Sequence, residues 1–194
     1  MHHLSAAYWN QRYENGHTPW DIGYASPPLL EYLNQLDDQQ IRILIPGAGH
    51  AYEAAYLHQN GFEQVWVCDW APAAFDHLLA HCPGFPQERL LVTDFFELDM
   101  EFDLVLEQTF FCAINREQRQ AYAKQAARLL RGGGRLAGVL FAAEFEQAGP
   151  PFGGTATEYQ ECFEPHFEIL AMEPCRHSIR PRAGRELFVE MQAR

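Results

Sequence analysis

The sequence predicts an α/β fold in which a mostly parallel sheet alternates with helices and ends in an antiparallel hairpin. Short β-branched apolar runs alternate with helix-like runs through most of the chain, which is the pattern of repeated β-α-β units. Residues 41–69 show this most clearly, because an apolar run ends in a glycine turn, a helix-like run follows, and a second apolar run ends in a carboxylate. The last two apolar runs have no long helix between them, so we expect them to pair antiparallel.

Each element is predicted from its local pattern. Ser26 and two prolines precede apolar residues at helical spacing, which is typical of a helix with proline in its first turn. Seven strands are expected, at residues 41–45, 64–68, 90–92, 102–106, 135–141, 167–172 and 187–191. Helices are expected at residues 51–59, 71–81 and 116–131, with a short capped helix from 155 to 162 or 163. Three glycines from Gly132 are expected to end the longest helix before the fifth strand.

Length and charge bound the organisation of the chain. For 194 residues we expect a single domain over residues 1–194, with an N-terminal lid and helix over 1–40 and a doubly wound core over 41–194. The formal net charge of -12, from 26 acidic and 14 basic residues, predicts repulsion from phosphate backbones and anionic lipids, so we expect no nucleic-acid or membrane partner. One basic cluster fits either a local patch or a solvated loop: Arg176, Arg180, Arg182 and Arg185.

The cysteines and apolar runs favour an intracellular protein. Five cysteines without a Cys-x-x-Cys pair are typical of reduced thiols and match neither a disulfide framework nor a zinc site, so no metal is expected. No apolar run reaches the length of a membrane span, and the N-terminal residues lack the pattern of a signal peptide. We expect a cytoplasmic protein, with a monomer as the default state.

The turn after the first strand predicts a site for an adenosine-bearing ligand. Gly47 and Gly49 allow the backbone to come close to a ligand, and Asp69, about 20 residues later at the next strand end, is placed to accept hydrogen bonds from ribose hydroxyls. Tyr52 stands where a dinucleotide-binding turn carries its third glycine, and its bulk obstructs the helix packing that a pyrophosphate needs. S-adenosylmethionine has no phosphate, so these residues favour it over a nicotinamide cofactor.

The next two strand ends supply further ligand candidates. Asp94 is placed to hydrogen-bond an adenine amino group and Phe95 to pack on the ring, while Glu107 or Gln108 would line the methionine end of the ligand. Structural alternatives stay open, since Asp94 also fits a helix N-cap and Glu107 a solvated strand end. Glu53, just beyond the glycine turn, is another carboxylate near the same edge.

An aromatic N-terminal segment precedes the first strand and predicts a lid. In a doubly wound fold this segment would lie across the carboxyl edge of the sheet, where Trp9, Tyr13 and Trp20 would close a ligand pocket. Packing of these rings on the core is the alternative, since aromatic side chains are mostly packing residues. The polar turn at residues 14–19 favours the lid for Trp9 and Trp20.

Five segments carry a resemblance to a known family. They are YWNQRYENGHTPWDIG at residues 8–23, EQTFFCAI at 107–114, LLRGGG at 129–134, GPPF at 149–152 and SIRPRAG at 178–184. In order and spacing they are similar to the thiopurine S-methyltransferase superfamily, and most of all to its branch of halide and thiol methyltransferases. The resemblance spans nearly the whole chain, and FFCAI is its most specific part.

The resemblance implies a Rossmann-like class I methyltransferase fold, with S-adenosylmethionine as methyl donor and S-adenosylhomocysteine as product. Together with the glycine turn and the lid, it implies a cofactor site comprising Trp9, Tyr13, Trp20, Gly47, Gly49, Asp69, Asp94, Phe95, Glu107 and Gln108. The predicted acceptor pocket comprises Trp20, Phe111 and Phe152. Two positions depart from the branch, since Tyr13 replaces its usual second tryptophan and Phe152 replaces a tyrosine of the halide and thiocyanate methyltransferases.

The missing hydroxyl at Phe152 argues against halide or thiocyanate transfer and favours a small soft nucleophile with a thiol or thiopurine-like sulfur. The reaction would be an in-line displacement, in which positioning can lower the barrier by about 7–11 kcal/mol. A thiol with a pKa of about 8.5 is partly ionised near neutral pH, so a strong base is dispensable, and Asp21 and Glu107 are the candidates if one is used. The alternatives are halide, tellurite or selenium methylation, a non-catalytic S-adenosylmethionine-binding protein, and a nicotinamide-binding domain.

Overall fold

The computed structural model describes residues 4–194; Met1, His2 and His3, which begin the predicted lid, lie outside the described residues. The strands are β1 (Ile43–Pro46), β2 (Val65–Asp69), β3 (Leu90–Val92), β4 (Phe102–Gln108), β5 (Leu130–Phe141), β6 (Phe167–Pro174) and β7 (Glu186–Ala193). The α-helices are α1 (Ala6–Glu14), α2 (Pro27–Leu33), α3 (Tyr52–Gln59), α4 (Asp76–His81), α5 (Arg119–Leu129) and α6 (Ala156–Phe163).

All seven strands form one sheet in the order β3-β2-β1-β4-β5-β7-β6. β1 is parallel to both of its neighbours, β2 and β4, and all four of its residues are buried, as expected for a strand covered on both faces. β7 lies between β5 and β6 and runs antiparallel to both. The predicted α/β fold, mostly parallel with a C-terminal antiparallel hairpin, is confirmed.

The strand order reverses at β1, and this reversal positions the site. From β1 the chain proceeds outward through β2 to β3, and it then returns to β4 on the opposite side of β1. In open α/β sheets, ligands bind in the crevice outside the carboxyl ends of the strands where the order reverses. The ends of β1 to β4 therefore mark where a ligand is expected.

Two apolar clusters hold the helices against the two faces of the sheet. Leu44 of β1 belongs to one cluster, with Tyr122 of α5 and Phe163 of α6. Ile43 and Ile45 belong to the other, with residues of α2, α3 and α4. Successive side chains of a strand point to opposite faces, so β1 contributes to both clusters in turn.

Three predicted elements differ from the structure by more than two residues at a boundary. The predicted helix at 71–81 is a 3₁₀ turn at Pro72–Phe75 followed by α4, and the predicted helix at 116–131 is a 3₁₀ turn at Arg116–Gln118 followed by α5. The glycines at 132–134 lie within β5, because that strand already begins at Leu130, which pairs with Phe102. The register between β4 and β5 shifts in this region, so the glycines form an irregular start of the strand.

The N-terminal segment is attached to the core by polar contacts. The side-chain oxygen of Asn10 in α1 accepts a hydrogen bond of 3.0 Å from the N–H of Ala73. Farther along, the carbonyl of Trp20 accepts one of 2.6 Å from Arg182. These bonds hold α1 beside the strand ends, while the division into a lid over 1–40 and a core over 41–194 stays a prediction.

Over residues 4–194, no helix has both the length and the apolar character that crossing a membrane requires. The same residues contain no group of three or more His, Cys, Asp or Glu side chains arranged to hold a metal ion. All five cysteines are free thiols, and four of them are buried.

Candidate functional site

A cavity of about 570 Å³ opens at the carboxyl edge of the sheet, within the size range of small-molecule sites. Its strand-end half is lined by residues at or just after the ends of β1 to β4, namely Gly47, Asp69, Trp70, Asp94, Phe95 and Gln108. Its loop half is lined by the end of β5 and by the loops that follow β5 and precede β7, namely Phe141, Phe145, Pro150, Pro151, Pro181, Arg182 and Arg185. The N-terminal segment completes the wall with residues that include Trp9, Arg12, Tyr13 and Trp20.

The turn after β1 has the backbone conformation that its glycines permit. Gly47 and Gly49 have φ angles of 57° and 54°, in the left-handed region that glycine adopts without steric cost. A Cβ atom on Gly47 would lie 2.2 Å from the ring of Phe110, which lines the cavity, so the site requires glycine there. Gly49 is not among the described residues that line the cavity; its backbone N–H instead helps to lower the pKa of Asp69.

Asp69 ends β2 at the floor of the cavity and is buried. Its Oδ1 accepts a hydrogen bond of 2.9 Å from the N–H of Ala71. Burial raises the pKa of Asp69 to about 6, although hydrogen bonds from the backbone N–H groups of Ala71, Gly49 and Trp70 oppose the rise. The carboxylate is therefore oriented by the backbone, ionised at neutral pH, and placed to accept hydrogen bonds from a ligand.

Asp94 and Phe95 follow β3 and also line the cavity. The Oδ1 atom of Asp94 accepts a hydrogen bond of 3.0 Å from the N–H of Phe96, so Asp94 caps the 3₁₀ turn Phe95–Glu97. The cap occupies one carboxylate oxygen, which leaves the other for a ligand. Phe95 is buried and stacks on Tyr122 with ring centroids 5.1 Å apart, so its position in the wall is supported by the core.

The two residues that end β4 have different surroundings. Glu107 is fully buried, and its carboxylate accepts hydrogen bonds from the hydroxyl of Tyr122 and, at 3.1 Å, from the N–H of Phe111. Burial raises the pKa of Glu107 to about 7 in spite of these bonds. Among the described residues, those that line the cavity include Gln108 and not Glu107, because successive strand residues point to opposite sides. Contrary to expectation, Glu107 is neither a solvated strand end nor part of the cavity wall.

Three aromatic rings of the N-terminal segment form one side of the cavity. The ring of Trp20 makes edge-to-face contacts with Trp9 and Tyr13, with centroid distances of 5.4 and 5.8 Å. Burial and the nearby Asp69 raise the pKa of Tyr13 above its usual range, so its hydroxyl stays neutral. These rings face the cavity and are not members of the two apolar clusters formed by the described residues.

Asp21 and Glu53 are not among the described residues that line the cavity, and each has a hydrogen-bond partner within the chain. The Oδ2 atom of Asp21 lies 2.7 Å from the Nδ1 atom of His50 and accepts a hydrogen bond of 3.3 Å from the hydroxyl of Tyr52. Glu53 is buried and accepts a hydrogen bond of 2.7 Å from the N–H of Ser26. Both carboxylates therefore join the N-terminal region to the start of α3.

Phe111 and Phe152, expected in the acceptor pocket, are not among the described residues that line the cavity. Phe111 is fully buried in the core, where the guanidinium carbon of Arg119 lies 4.8 Å from its ring centroid. Both backbone polar groups of Phe152 form hydrogen bonds. Its N–H donates to the carbonyl of Cys112 and its carbonyl accepts from Arg119, both at 2.6 Å. Phe152 thus anchors the loop whose two preceding prolines line the cavity.

None of the described residues that line the loop half belonged to the predicted site. Phe141, Phe145, Arg182 and Arg185 line it, and Arg12 reaches the cavity from α1. The basic cluster near the C-terminus was a signal for Arg182 and Arg185, and Arg182 also belongs to the SIRPRAG segment of the resemblance. The cluster left the choice between a patch and a solvated loop open. No local pattern distinguished Arg12 or the two phenylalanines from other surface and core residues.

The strand-end half has the chemistry that S-adenosylmethionine requires. The Oε1 atom of Gln108 is buried without a hydrogen-bond partner in residues 4–194, which is a costly state unless a ligand supplies a donor. The ammonium group of a methionine moiety is such a donor, and the carboxylate of Asp69 suits ribose hydroxyls. The next residue, Thr109, has a φ of 58°, an uncommon angle for a residue with a side chain and one that clusters at functional sites.

Sequence comparisons identify relatives over most of the chain. The model of the thiopurine S-methyltransferase family matches residues 4–187. The chain is 28% identical over 192 residues to probable thiol methyltransferase 2 of Arabidopsis thaliana, which covers 96% of this chain and 84% of that protein. It is 27% identical over 184 residues to thiocyanate methyltransferase 1 of Brassica oleracea, which covers 92% of this chain and 81% of that one.

Solved structures show the same architecture. The 1,6-didemethyltoxoflavin-N1-methyltransferase of Burkholderia thailandensis, with bound S-adenosylhomocysteine, has a TM-score of 0.76 at 20% identity and covers 97% of this chain and 86% of that one. The magnesium protoporphyrin IX methyltransferase of Synechocystis, with bound S-adenosylmethionine, has a TM-score of 0.74 at 13% identity over 100% of both chains. These likenesses establish the class I methyltransferase fold, and the match over residues 4–187 shows that the chain belongs to the thiopurine S-methyltransferase family.

Proposed function

We propose that the protein transfers the methyl group of S-adenosylmethionine to a small molecule with a nucleophilic sulfur. The observation that carries this proposal is a single cavity in which a strand-end half suited to the cofactor adjoins a loop half lined by aromatic and proline residues. The relatives support the sulfur acceptor, since two of them bear the names of thiol and thiocyanate methyltransferases.

The strand-end half would hold the cofactor, which when bound supplies an electrophilic methyl group on a sulfonium sulfur. Asp69 would accept hydrogen bonds from the ribose hydroxyls, and the buried Oε1 of Gln108 would accept one from the amino group of the methionine moiety. The free oxygen of Asp94 would bind the adenine amino group, with Phe95 against the ring. Gly47 would allow the backbone to approach the cofactor, because glycine has no side chain to separate the two.

The aromatic rings of the N-terminal segment would exclude water and stabilise the positive charge of the sulfonium. Trp9, Tyr13 and Trp20 line the cavity and would offer ring faces to a sulfonium. Displacement at a methyl group requires the attacking sulfur, the carbon and the leaving sulfur in line, and holding them so can lower the barrier by about 7–11 kcal/mol. Positioning between the two halves of the cavity is therefore the main contribution that the protein would make.

Transfer to sulfur needs no strong general base from this chain. The carboxylate of Asp21 is hydrogen-bonded to His50, and that of Glu107 is hydrogen-bonded to Tyr122. Neither carboxylate is among the described residues that line the cavity. A thiol with a pKa of about 8.5 is partly ionised near neutral pH, and a guanidinium close to it favours the thiolate further. Arg185 lines the loop half, where it would have this effect.

Methyl transfer from radiolabelled S-adenosylmethionine to 4-methylbenzenethiol, hydrogen sulfide and iodide tests the proposal. We expect labelled thioether or thiol product, with S-adenosylhomocysteine formed in equal amount. If S-adenosylhomocysteine binds in a calorimeter and no acceptor is methylated, the protein is a non-catalytic binder; methylation of iodide alone would make it a halide methyltransferase. Binding of NAD in place of S-adenosylhomocysteine would contradict the cofactor assignment.

We extend the proposal to the setting of the protein, as a cytoplasmic monomer that acts without nucleic acid. The net charge of -12 supports the absence of a nucleic-acid partner, and the five free thiols support a reducing compartment. Analytical ultracentrifugation across a tenfold range of protein concentration tests the monomer, because a rising sedimentation coefficient would reveal self-association.

A further inference from the structure

We infer that Glu107, a buried carboxylate next to the strand-end half of the cavity, makes the site discriminate by charge between S-adenosylmethionine and S-adenosylhomocysteine. Because both ligands belong to the proposed cofactor site, this inference rests on the proposed function. S-adenosylmethionine carries one positive charge more than S-adenosylhomocysteine, since methyl transfer converts its sulfonium to a neutral thioether. A negative charge near the sulfonium would therefore favour the methyl donor over the product.

Glu107 is close to the cavity although it is not among the described residues that line it. The next residue, Gln108, lines the cavity, and Glu107 itself accepts a hydrogen bond from the hydroxyl of Tyr122. The ring of Tyr122 contacts the rings of Phe95 and Phe110, with centroid distances of 5.1 and 5.9 Å, and both phenylalanines line the cavity. Aromatic rings connect the carboxylate to the cavity along this path, so water screens its charge weakly there.

No basic group of residues 4–194 forms a salt bridge with Glu107. Arg119 of α5 lies 4.8 Å from the ring centroid of Phe111, and its Nη2 atom donates to the carbonyls of Phe152 and Gly153. The guanidinium of Arg119 is thus engaged by the loop before α6. A cationic ligand in the cavity would supply the partner charge that the described chain does not.

The other titratable side chains around Glu107 are neutral. Tyr122 of α5 and Cys112 of the loop after β4 face it, and Cys162 of α6 adjoins Tyr122. Burial raises the pKa of Cys112 to about 12, that of Cys162 to about 11, and that of Tyr122 well above its usual value. Glu107 is therefore the group of this cluster whose charge changes near neutral pH.

Burial raises the pKa of Glu107 to about 7, although both of its oxygens accept hydrogen bonds that favour the ionised form. The Oε1 atom accepts from the N–H of Phe111 at 3.1 Å, and the Oε2 atom accepts from Tyr122. The carboxylate is consequently part ionised and part protonated near pH 7. Since a nearby cation favours the charged form of a carboxyl group, a bound sulfonium would increase the ionised fraction.

Glu107 is held in this position by the strand opposite it. Gly138 of β5 is its partner in the sheet, and a Cβ atom on Gly138 would lie 2.3 Å from the carbonyl oxygen of Glu107 and 2.4 Å from its Cβ. The main chains of β4 and β5 therefore approach closely at this point. The carboxylate is fixed in advance of ligand binding, and its charge acts without a rearrangement of the strand.

Linkage gives the sign of the pH dependence. If a cation lowers the pKa of Glu107, the protein binds that cation more tightly when Glu107 is ionised. As the pH rises through about 7, affinity for S-adenosylmethionine should therefore increase relative to affinity for the less positive S-adenosylhomocysteine. Once the methyl group is transferred, the attraction is lost and the product is held less tightly than the donor.

The test measures the Kd of each ligand by isothermal titration calorimetry at pH 6 and pH 7.5, without an acceptor. We expect the ratio of the Kd of S-adenosylhomocysteine to that of S-adenosylmethionine to rise about fourfold from pH 6 to pH 7.5. An ionised buried carboxylate would favour the cation about tenfold, and Glu107 changes only part of its ionisation over this interval. Glu107→Gln, which keeps the shape of the side chain, should remove most of this rise and lower the ratio roughly fivefold at pH 7.5.

Glu97→Gln is the matched control, because it removes the same charge from an exposed position in the turn after β3 and should leave the ratio unchanged at both pH values. Asp69, Asp94 and the amino groups of the ligands are the same in every variant, so their contributions cancel in the comparison. Tyr122→Phe keeps the carboxylate and removes a hydrogen bond that favours its ionised form, so the rise in the ratio should move to higher pH. Loss of packing alone would not shift the pH of this rise.

An equal rise in the unaltered protein and in Glu107→Gln, or no rise in the unaltered protein, would overturn the inference while leaving the proposed function intact. If Glu107→Gln does not fold, Tyr122→Phe decides, and an unshifted rise there would overturn it. The expected ratios would support the charge discrimination even if no acceptor is methylated. Failure of both ligands to bind would overturn the proposed function and the inference together.

Discussion

The two halves of the cavity differ in how they are built. The strand-end half is made of residues at the ends of parallel strands, which the sheet brings to one edge, and it carries the carboxylates of Asp69 and Asp94. The loop half is made of residues from the loop after β5 and the loop before β7, and it carries the guanidiniums of Arg182 and Arg185. Sheet geometry thus fixes the half suited to the cofactor, whereas individual loop contacts fix the half suited to the acceptor.

This difference predicts that substitutions separate into two classes. Changes at the strand ends should alter cofactor affinity, and changes in the loops should alter the acceptor KM. A variant of one half that affects both properties equally would show that the halves are coupled, for instance through the N-terminal segment that contacts both.

The largest expected effect is on cofactor affinity in Asp69→Ala. Removing the buried carboxylate eliminates charge-assisted hydrogen bonds of about 1.5–3 kcal/mol each, so the Kd of S-adenosylhomocysteine should rise roughly 100-fold. Isothermal titration calorimetry at pH 7.5 measures this change. Asp37→Asn removes a charge from an exposed position and should leave the Kd unaltered; an unchanged Kd in Asp69→Ala would place the ribose elsewhere.

A smaller effect, on the free energy of unfolding, is expected when the glycine turn carries alanine at position 47. Gly47 and Gly16 both have positive φ angles, 57° and 64°, but a Cβ would meet Phe110 at Gly47 and nothing within 4 Å at Gly16. Gly16→Ala should lower the free energy of unfolding by about 1 kcal/mol from backbone strain alone. Gly47→Ala should lower it by about 2 kcal/mol because the ring must also shift. Urea denaturation measures both, and equal losses would mean that Phe110 moves aside without cost.

On the loop half, Arg119→Met should act on the acceptor alone. Arg119 is buried, and its Nη2 atom donates to the carbonyls of Phe152 and Gly153 at 2.6 and 3.2 Å. Losing these bonds frees the loop that carries two lining prolines, so the acceptor KM should rise about tenfold while the Kd of S-adenosylhomocysteine changes less than about twofold. Arg116→Met, at an exposed position one helical turn earlier, is the control. A matching loss of cofactor affinity would contradict a role confined to the loop half.

The smallest expected effect is a pH dependence of cofactor binding. Burial raises the pKa of Asp69 to about 6, so the carboxylate takes up a proton as the pH falls through that value. Because the ionised form accepts the ribose hydrogen bonds, affinity for S-adenosylhomocysteine should be constant above pH 7 and roughly fourfold weaker at pH 5.5. Calorimetry from pH 5.5 to 8 measures this, and Asp69→Asn should bind more weakly but with a flat profile. An unaltered profile in Asp69→Asn would assign the titration to another group.

Residues that follow a strand were predictable, and the side to which each one points was less so. Asp69 and Asp94 were expected at the cavity because parallel strands end at one edge, and both line it. Glu107 and Gln108 could not be separated, because a shift of one residue in strand alternation exchanges the buried and cavity-facing positions. The glycines at 132–134 were expected to end a helix, because glycine follows helices more often than it begins a strand. In the structure Leu130 already pairs with Phe102 of β4, so these glycines lie within β5.

The sequence by itself determined the order of strands and helices, the glycine turn at Gly47, and the carboxylates at two strand ends, because these follow from local periodicity and from the conformations each residue permits. Only the tertiary structure decided that Gln108 faces the cavity, that the carbonyl of Phe152 is held by Arg119, and that Arg12 and Arg185 line the cavity. These placements depend on contacts between segments far apart in the chain, which no local pattern encodes. The physical reason is that sheet edges are set by repeating backbone hydrogen bonds, whereas loops are positioned by a few specific side-chain contacts.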